Sequence, residues 1–259
     1  MALATAPPFG AIIPNALLLE TGDDEERADA ERRAQAEIAA GLQEQLDAVM
    51  GEGPSGGGGY VATPDEVPHR ISQSNGRARV ALERALNEGA DLGVNLAVRG
   101  MAGIGVSFNY GLVNQFARVW ARDYSYELIR GIDATSAARA ATAISRWTES
   151  GQSLADLREA LAPAFGETRS KLIASTEITR AYAEGTIRSY QAAGFADFLP
   201  EIPIPRHPAC RCWFSLEILE DGTAYWIFNS VDEGECTLDP PCRYYNQMRV
   251  GLAKRGRNG

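Results

Sequence analysis

Apolar residues recur at helical spacing along the first half of the chain. Ile38, Leu42, Leu46 and Val49 follow one another at steps of four, four and three, which places them on one face of a helix. This stripe predicts an amphipathic helix over residues 23–50. Because the stripe is narrow, the helix needs a surface to lie on. Two surfaces are open alternatives, the body of the same chain and another subunit.

The same periodicity predicts further helices beyond residue 77. They cover Arg79–Gly89, Leu112–Arg130 and a segment from Asp133 or Thr135, as the capping residue, to Ser150. The second of them has a predicted buried face made of Phe116, Val119, Trp120 and Tyr124. The spacing of Ser153 and Asp156 is typical of a capping box. The helix that follows is predicted to bury Leu154, Leu157 and Leu161 and to end at Pro163.

The most regular helical segment runs from Arg169 to Ala193, and Gly194 is expected to end it. Four charged residues alternate in sign along one side: Glu177, Arg180, Glu184 and Arg188. Their steps of three, four and four predict a ladder of ion pairs that supports the helix. Apolar residues on both flanks indicate a helix lodged between neighbours.

The composition changes after residue 200. Three prolines between residues 202 and 208 favour an extended path. Cys212–Leu219 and Tyr225–Asn229 are predicted to be strands, and Asp221-Gly222 between them is typical of a hairpin turn. The predicted fold class is therefore mainly α: a helical body with a small C-terminal β-hairpin module that contains cysteines, α+β overall.

A glycine-rich stretch at residues 51–59 predicts a flexible linker. The chain then divides into an acidic N-terminal arm with its amphipathic helix (1–50), the linker, a helical body (60–199) and a Cys/His β-hairpin module with a basic tail (200–259). Of the net charge of −9, residues 1–66 account for most, with 13 acidic and 3 basic side chains. Binding of free duplex nucleic acid requires a concentrated basic surface and is disfavoured. A basic protein partner would suit the arm.

Five residues with metal-ligand chemistry lie in the last quarter of the chain: His207, Cys210, Cys212, Cys236 and Cys242. Imidazole and thiolate are the ligands of tetrahedral structural zinc sites. Clustered cysteines in a reducing compartment favour metal or free thiols over disulfides. Zinc is therefore a candidate cofactor, which would stabilise a module too small to be stable alone. Free or paired cysteines that pack the base of the hairpin are the alternative.

Two function classes find little support in the sequence. No apolar run is long enough to span a bilayer, and residues 1–20 lack the basic region of a signal peptide, so synthesis in the cytoplasm and no membrane partner are expected. The two histidines, His69 and His207, both lie beside prolines, and no G-x-S-x-G motif is present. We therefore predict no catalytic residue, no enzyme activity and no small-molecule substrate.

Two segments resemble the phage minor head protein family, also called the head morphogenesis or Mu F-like family. The first is the helix Ile173–Tyr182 with Gly185 after it, similar to the family pattern I-A-R-T-E-x-x-R-A-x-x-x-G with Ser175 in place of arginine. The second is His207-Pro208-Ala209-Cys210-Arg211-Cys212, similar to the family signature H-P-x-C-R-C. The family's D-x-x-x-C-x-x-C segment usually precedes the His-Pro motif. Here a similar stretch, which holds Cys236 and Cys242, follows it. The resemblance covers residues 145–245.

The resemblance implies a structural protein of virion assembly, present in the capsid interior or near the portal and made in the host cytoplasm. Its implied partners are the portal, scaffold or major capsid protein and, as for some family members, the packaged DNA. Six residues of the helix are expected to order it as a structural motif: Thr176, Glu177, Arg180, Glu184, Gly185 and Arg188. The alternative function is an enzyme or toxin-like effector carried on a module of this type, with its site in residues 60–130.

Overall fold

The computed structural model describes residues 20–52, 60–102, 110–150, 152–195, 202–219, 223–230 and 236–253. The helices are α1 (Glu20–Met50), α2 (Val67–Gln73), α3 (Gly76–Ala102), α4 (Tyr110–Ser150), α5 (Leu154–Phe165) and α6 (Glu167–Ala192). The strands are β1 (Trp213–Ile218), β2 (Ala224–Asn229) and β3 (Met248–Ala253), with a short 3-10 helix at Cys242–Tyr245. The predicted fold class, mainly α with a small β part, is confirmed.

Helix α6 lies at the centre of the helical body and packs most closely on α3. The close approach depends on glycines at the crossing. A Cβ atom on Gly185 would lie 2.2 Å from the carbonyl oxygen of Ala90, and one on Gly93 would lie 2.0 Å from that of Tyr182. Thr186 strengthens the contact, since its hydroxyl donates to the carbonyl oxygens of Tyr182 and Gly93. Gly185 of the family-like motif therefore has a packing role.

Helix α1 packs on the body of its own chain, the first of its two alternatives. Ile38, Leu42 and Val49 of the predicted stripe are buried in the core shared with α3 and α6. Ion pairs such as Arg77–Glu44, at 3.1 Å, join α1 to α3 along the exposed side. This packing contradicts the expectation that the helix moves independently of the body. The linker lies largely outside the described residues, and the domain boundaries stay a prediction.

Helix α4 is continuous over 41 residues, so the predicted interruption near residue 131 and the caps at Asp133 and Thr135 are wrong. The reason is that both side chains have other partners within the helical structure. The Asp133 carboxylate accepts hydrogen bonds from Gln45 Nε2 and Asn75 Nδ2, both at 2.8 Å. The hydroxyl of Thr135 donates to the carbonyl of Gly131 one turn earlier.

The buried face of α4 also differs from the prediction. Phe116 and Val119 are 49% and 43% exposed, while Val113, Ala117 and Ala121 are buried. Together with Leu86, Ala90 and Val94 of α3, these smaller side chains form a compact cluster. Small residues allow two helices to approach closely, and this advantage outweighs the larger apolar area of the other face.

Asp133 makes the stability of the fold depend on pH. Burial raises the pKa of its carboxyl, although the hydrogen bonds from Asn75 and Gln45 act in the opposite direction. The stability due to this group is thus fully present below its unfolded pKa and is lost as the pH rises through its folded pKa. An Asp133→Asn variant carries no charge, and its amide can donate to the buried Oε1 of Gln45, which has no hydrogen-bond partner.

Asp133→Asn is therefore expected to have a larger free energy of unfolding than the wild type at pH 7, with a difference that shrinks towards pH 4. Urea unfolding at several pH values measures this. The matched control is Asp156→Asn in α5, where the hydrogen bonds with Ser153 lower the pKa of the carboxyl. That variant should be less stable than the wild type at pH 7. A less stable Asp133→Asn variant at pH 7 would contradict the assignment.

The ends of α5 and α6 follow their local signals with one exception. The Ser153–Asp156 capping box is present in both directions. Pro163 does not end α5, because it lies in the last turn and the helix continues to Phe165. Leu154 is 44% exposed, so the buried face consists of Leu157 and Leu161 with neighbours from the last turn. Gly194 has a φ of +88° just after α6 and is the predicted terminating residue.

The C-terminal module is a three-stranded antiparallel sheet with the order β1-β2-β3. The predicted hairpin is its first two strands, with Phe214 opposite Phe228. The turn residues Asp221 and Gly222 lie outside the described part. Strand β3 falls in the segment predicted as a basic tail. Phe214, Trp226 and Phe228 pack with Tyr190 of α6, so the sheet rests on the end of the helical body.

Among the described helices, none combines the length and apolar character that crossing a bilayer requires.

Candidate metal centre

Two separate segments bring the five predicted donors together. His207, Cys210 and Cys212 lie on the loop that leads from α6 into β1. Cys242 opens the 3-10 helix before β3, and Cys236 precedes it. The four cysteines are buried beneath the sheet, while His207 is half-buried at its margin.

The donor atoms form two groups that share Cys242. The first consists of His207, Cys236 and Cys242, and the second of Cys210, Cys212 and Cys242. Within each group all ligand atoms lie within 4.8 Å of one another. None of the four cysteines forms a disulfide. The cluster can therefore hold a metal ion.

The spacing of the thiols fits tetrahedral coordination. The Sγ atoms of Cys236 and Cys242 are 3.7 Å apart, far beyond the S–S length of a disulfide. Tetrahedral zinc with Zn–S bonds of about 2.3 Å places two thiolates about 3.8 Å apart. In addition, the backbone N–H of Cys242 points at Cys236 Sγ at 3.4 Å. Such N–H donors stabilise a thiolate ligand.

His207 has the hydrogen-bond pattern of a ligating histidine. Its Nδ1 lies 2.8 Å from the carbonyl oxygen of Pro208, and its Nε2 is buried without a hydrogen-bond partner among the described residues. A metal-bound imidazole commonly donates its other N–H to a backbone carbonyl. Ala209, with a φ of 58°, shapes the tight turn that returns the N–H of Cys210 to the carbonyl of His207 at 3.2 Å.

The electrostatics of the cluster favour a thiolate at Cys210. The hydrogen bond from the Cys212 thiol is the main cause that lowers the pKa of Cys210 to about 5, and backbone hydrogen bonds with Arg206 and Cys212 add to it. The same interaction raises the pKa of Cys212. Burial is the largest cause that raises the pKa of Cys242 to about 12. The guanidinium of Arg206 lies 3.8 Å from Cys242 Sγ and compensates negative charge in the cluster.

The motif helix α6 holds the donor loop directly. The N–H of Ala209 donates to Thr176 Oγ1 at 2.9 Å, and the hydroxyl of Thr179 donates to the carbonyl of Cys210. The two segments that carry the family resemblance are thus in contact. Thr176 was among the predicted motif residues. Thr179 was not, although its position one turn after Ser175 and Thr176 is visible in the sequence.

The other motif residues lie away from the thiols. Glu177 pairs with Arg180 at 3.0 Å, and Glu184 pairs with Arg188 at 2.6 Å, so the predicted ladder consists of two pairs. Tyr124 of α4 donates to Glu177 at 3.1 Å. Burial is the first cause that raises the pKa of Tyr124 to about 12, with the charge of Glu177 second.

These pairs face a cleft of about 440 Å³ between α4, α6 and residues 202–204. Trp120 and Tyr124 stack in parallel on one wall, with ring centroids 5.2 Å apart. Each acid on this wall already has an arginine partner, and such pairing suits the order of the helix more than proton transfer. The structure therefore separates the motif into a part that holds the donor loop and a part that fixes α4 on α6.

Comparisons with models of protein families, with curated proteins and with solved structures give no match to this chain. The argument for function therefore depends on the contacts within the molecule.

Proposed function

We propose that the thiol cluster binds one zinc ion, which fastens the C-terminal sheet to the helical body. The supporting observation is that five buried or half-buried donors form two groups of three around Cys242. Completing either group with one further donor gives a four-ligand set that contains Cys242. A bound zinc ion supplies cross-links between the loop after α6 and the segment before β3. The ligands Cys210 and Cys212 connect it, through Thr179 and the backbone, to α6.

We further propose that the protein is a minor head protein of a phage or prophage that acts in capsid assembly. The observation that carries this proposal is the contact between the two family-like segments, from Thr176 to Ala209 and from Thr179 to Cys210. Segments that are about thirty residues apart in sequence belong to one structural unit, as expected when a family signature records a shared architecture. The role of that unit is to present a fixed surface to other proteins.

The surface of the body suits protein contacts. Phe116, Val119 and Tyr126 of α4 are 49%, 43% and 58% exposed along one part of the helix. Exposed apolar groups of this kind are often buried in an assembly. The partners that the proposal names are the portal, the scaffold or the major capsid protein, inside the head or close to the portal.

Virion analysis tests this function. We expect mass spectrometry of purified virions to detect the chain in few copies, and deletion of its gene to lower the yield of filled heads. Thr176→Val, which removes the hydroxyl that holds Ala209, should reduce incorporation. Thr168→Val, at an exposed position of α6, is the matched control and should be incorporated normally.

A chain that is absent from virions, with an unchanged yield of heads after gene deletion, would contradict the proposal. If such a chain also arrested the growth of cells that express it, the effector alternative would be favoured.

A further inference from the structure

Helix α1 reaches across the body to the donor loop through a buried arginine. Arg27 is 4% exposed, and its guanidinium donates to the carbonyl oxygen of Arg211 at 3.2 Å. It also donates to Thr179 Oγ1, and Thr179 in turn donates to the carbonyl of Cys210. One α1 side chain therefore fixes the backbone on both sides of the peptide that joins Cys210 to Arg211.

A second contact holds the same loop from its side chain. Arg211 lies between Cys210 and Cys212, and its guanidinium pairs with Glu31 of α1 at 2.5 Å. Glu31 is 7% exposed and lies 3.7 Å from Arg27 Nε. Alternation along an extended chain explains the arrangement, because neighbouring side chains point to opposite sides. The two thiols face the cluster, and the arginine between them faces α1.

Arg27 depends on the loop for its hydrogen bonds. Its charge is buried against the ring of Tyr182, 5.1 Å from the centroid. Its Nε and Glu31 Oε1 have no hydrogen-bond partner among the described residues. If the loop left its place, Arg27 would lose the carbonyl of Arg211, and Glu31 would lose the guanidinium of that residue. A buried charge without partners strongly disfavours the packed state, so α1 would be destabilised in place.

We propose that α1 and the donor loop form a metal-coupled latch, in which Arg27 is the positioning residue: zinc binding at the cluster secures α1 on the body, and the docked α1 tightens zinc binding. This inference rests on the zinc centre proposed above. The coupling is reciprocal, since each event must change the free energy of the other by the same amount. The acidic helix that begins the described chain thereby becomes the element whose docking reports the state of the metal centre.

The test compares the full-length wild type with Arg27→Met, which keeps an unbranched apolar side chain over Tyr182 and removes the donors. Zinc affinity is measured by competition with Co²⁺, whose thiolate charge-transfer absorption reports the ligand set. We expect Arg27→Met to lower the affinity by about tenfold or more, as for other supporting contacts of metal ligands. The matched control is Arg33→Met, an exposed α1 arginine that pairs with Glu88 of α3. It should retain the wild-type affinity.

Hydrogen exchange supplies the second measurement. In the wild type, a chelator should accelerate exchange in residues 24–34, and in Arg27→Met this dependence on zinc should disappear. A wild-type chain that binds zinc with no change in α1 exchange, together with wild-type affinity in Arg27→Met, would overturn the latch.

If the wild type binds no metal, the zinc centre fails by itself, and the latch is then judged in the metal-free chain. There, Arg27→Met must accelerate exchange in residues 206–213, whereas Arg33→Met must not. Equal exchange in the two variants would refute the contact between α1 and the loop as an energetic link.

Discussion

Replacement of Cys242 by serine is expected to abolish metal binding and to loosen the C-terminal sheet, because Cys242 belongs to both groups of donors. Without it neither group of three is intact. The loss in stability equals the contribution of the bound ion, about 4 kcal/mol at a free zinc concentration a thousandfold above the dissociation constant. Hydrogen exchange in residues 213–218 and 224–229 measures the effect in the full chain.

Two other variants act as controls for this prediction. Cys236→Ser leaves Cys210, Cys212 and Cys242 with His207 as a fourth donor, and His207→Gln leaves the four cysteines. Both should keep metal with reduced affinity and should protect the sheet better than Cys242→Ser does. Equal protection of the sheet in Cys242→Ser and the wild type, with zinc present, would show that the thiols only pack the module.

Gly185→Ala is expected to destabilise the helical body. The added Cβ would lie 2.2 Å from the carbonyl oxygen of Ala90 and 3.0 Å from its carbonyl carbon, so α3 and α6 must move apart. The obstacle is backbone and cannot rotate away. Insertion of atoms into a packed contact of this kind costs about 1–3 kcal/mol. The free energy of unfolding, from urea denaturation followed by circular dichroism at 222 nm, measures the loss.

Gly131→Ala in α4 is the matched control for this substitution. An added Cβ at Gly131 meets nothing within 4 Å, and alanine is favoured over glycine inside a helix by about 0.5–1 kcal/mol. This variant should therefore be slightly more stable than the wild type. If both variants changed stability in the same direction, the close crossing of α3 and α6 would not be what Gly185 provides.

The sequence predicts most of the helices because their signals are local. The capping box of Ser153 and Asp156 and the left-handed Gly194 each depend on a few neighbouring residues, and both are present. The buried face of α4 fails for a physical reason. Large apolar residues such as Phe116 predict burial by area, but the contact with α3 selects Ala117 and Ala121 because the helices approach closely.

The third strand was missed although Met248, Val250 and Leu252 alternate with other residues, a pattern typical of a strand. Asp133 shows a second limit. As a helix cap it has a local rationale, but its partners Gln45 and Asn75 come from distant segments and fix it within a continuous helix.

The candidate site divides in the same way. Residue type alone identifies the five donors, since imidazole and thiol groups are rare in this chain. The residues that support them cannot be found by spacing. Arg27 and Glu31 precede the Arg211 that they contact by 184 and 180 positions. Only the packing of α1 against α6 brings these side chains to the donor loop.

The metal content of the purified full-length chain tests the central claim most directly, namely that the thiol cluster is a structural metal centre. The protein is purified under reducing conditions without added chelator, and its metals are quantified by inductively coupled plasma mass spectrometry. The account predicts one zinc ion per wild-type chain and none in Cys242→Ser. Wild-type protein that carries no metal after supply of zinc, or a Cys242→Ser variant with the same zinc content, would contradict it.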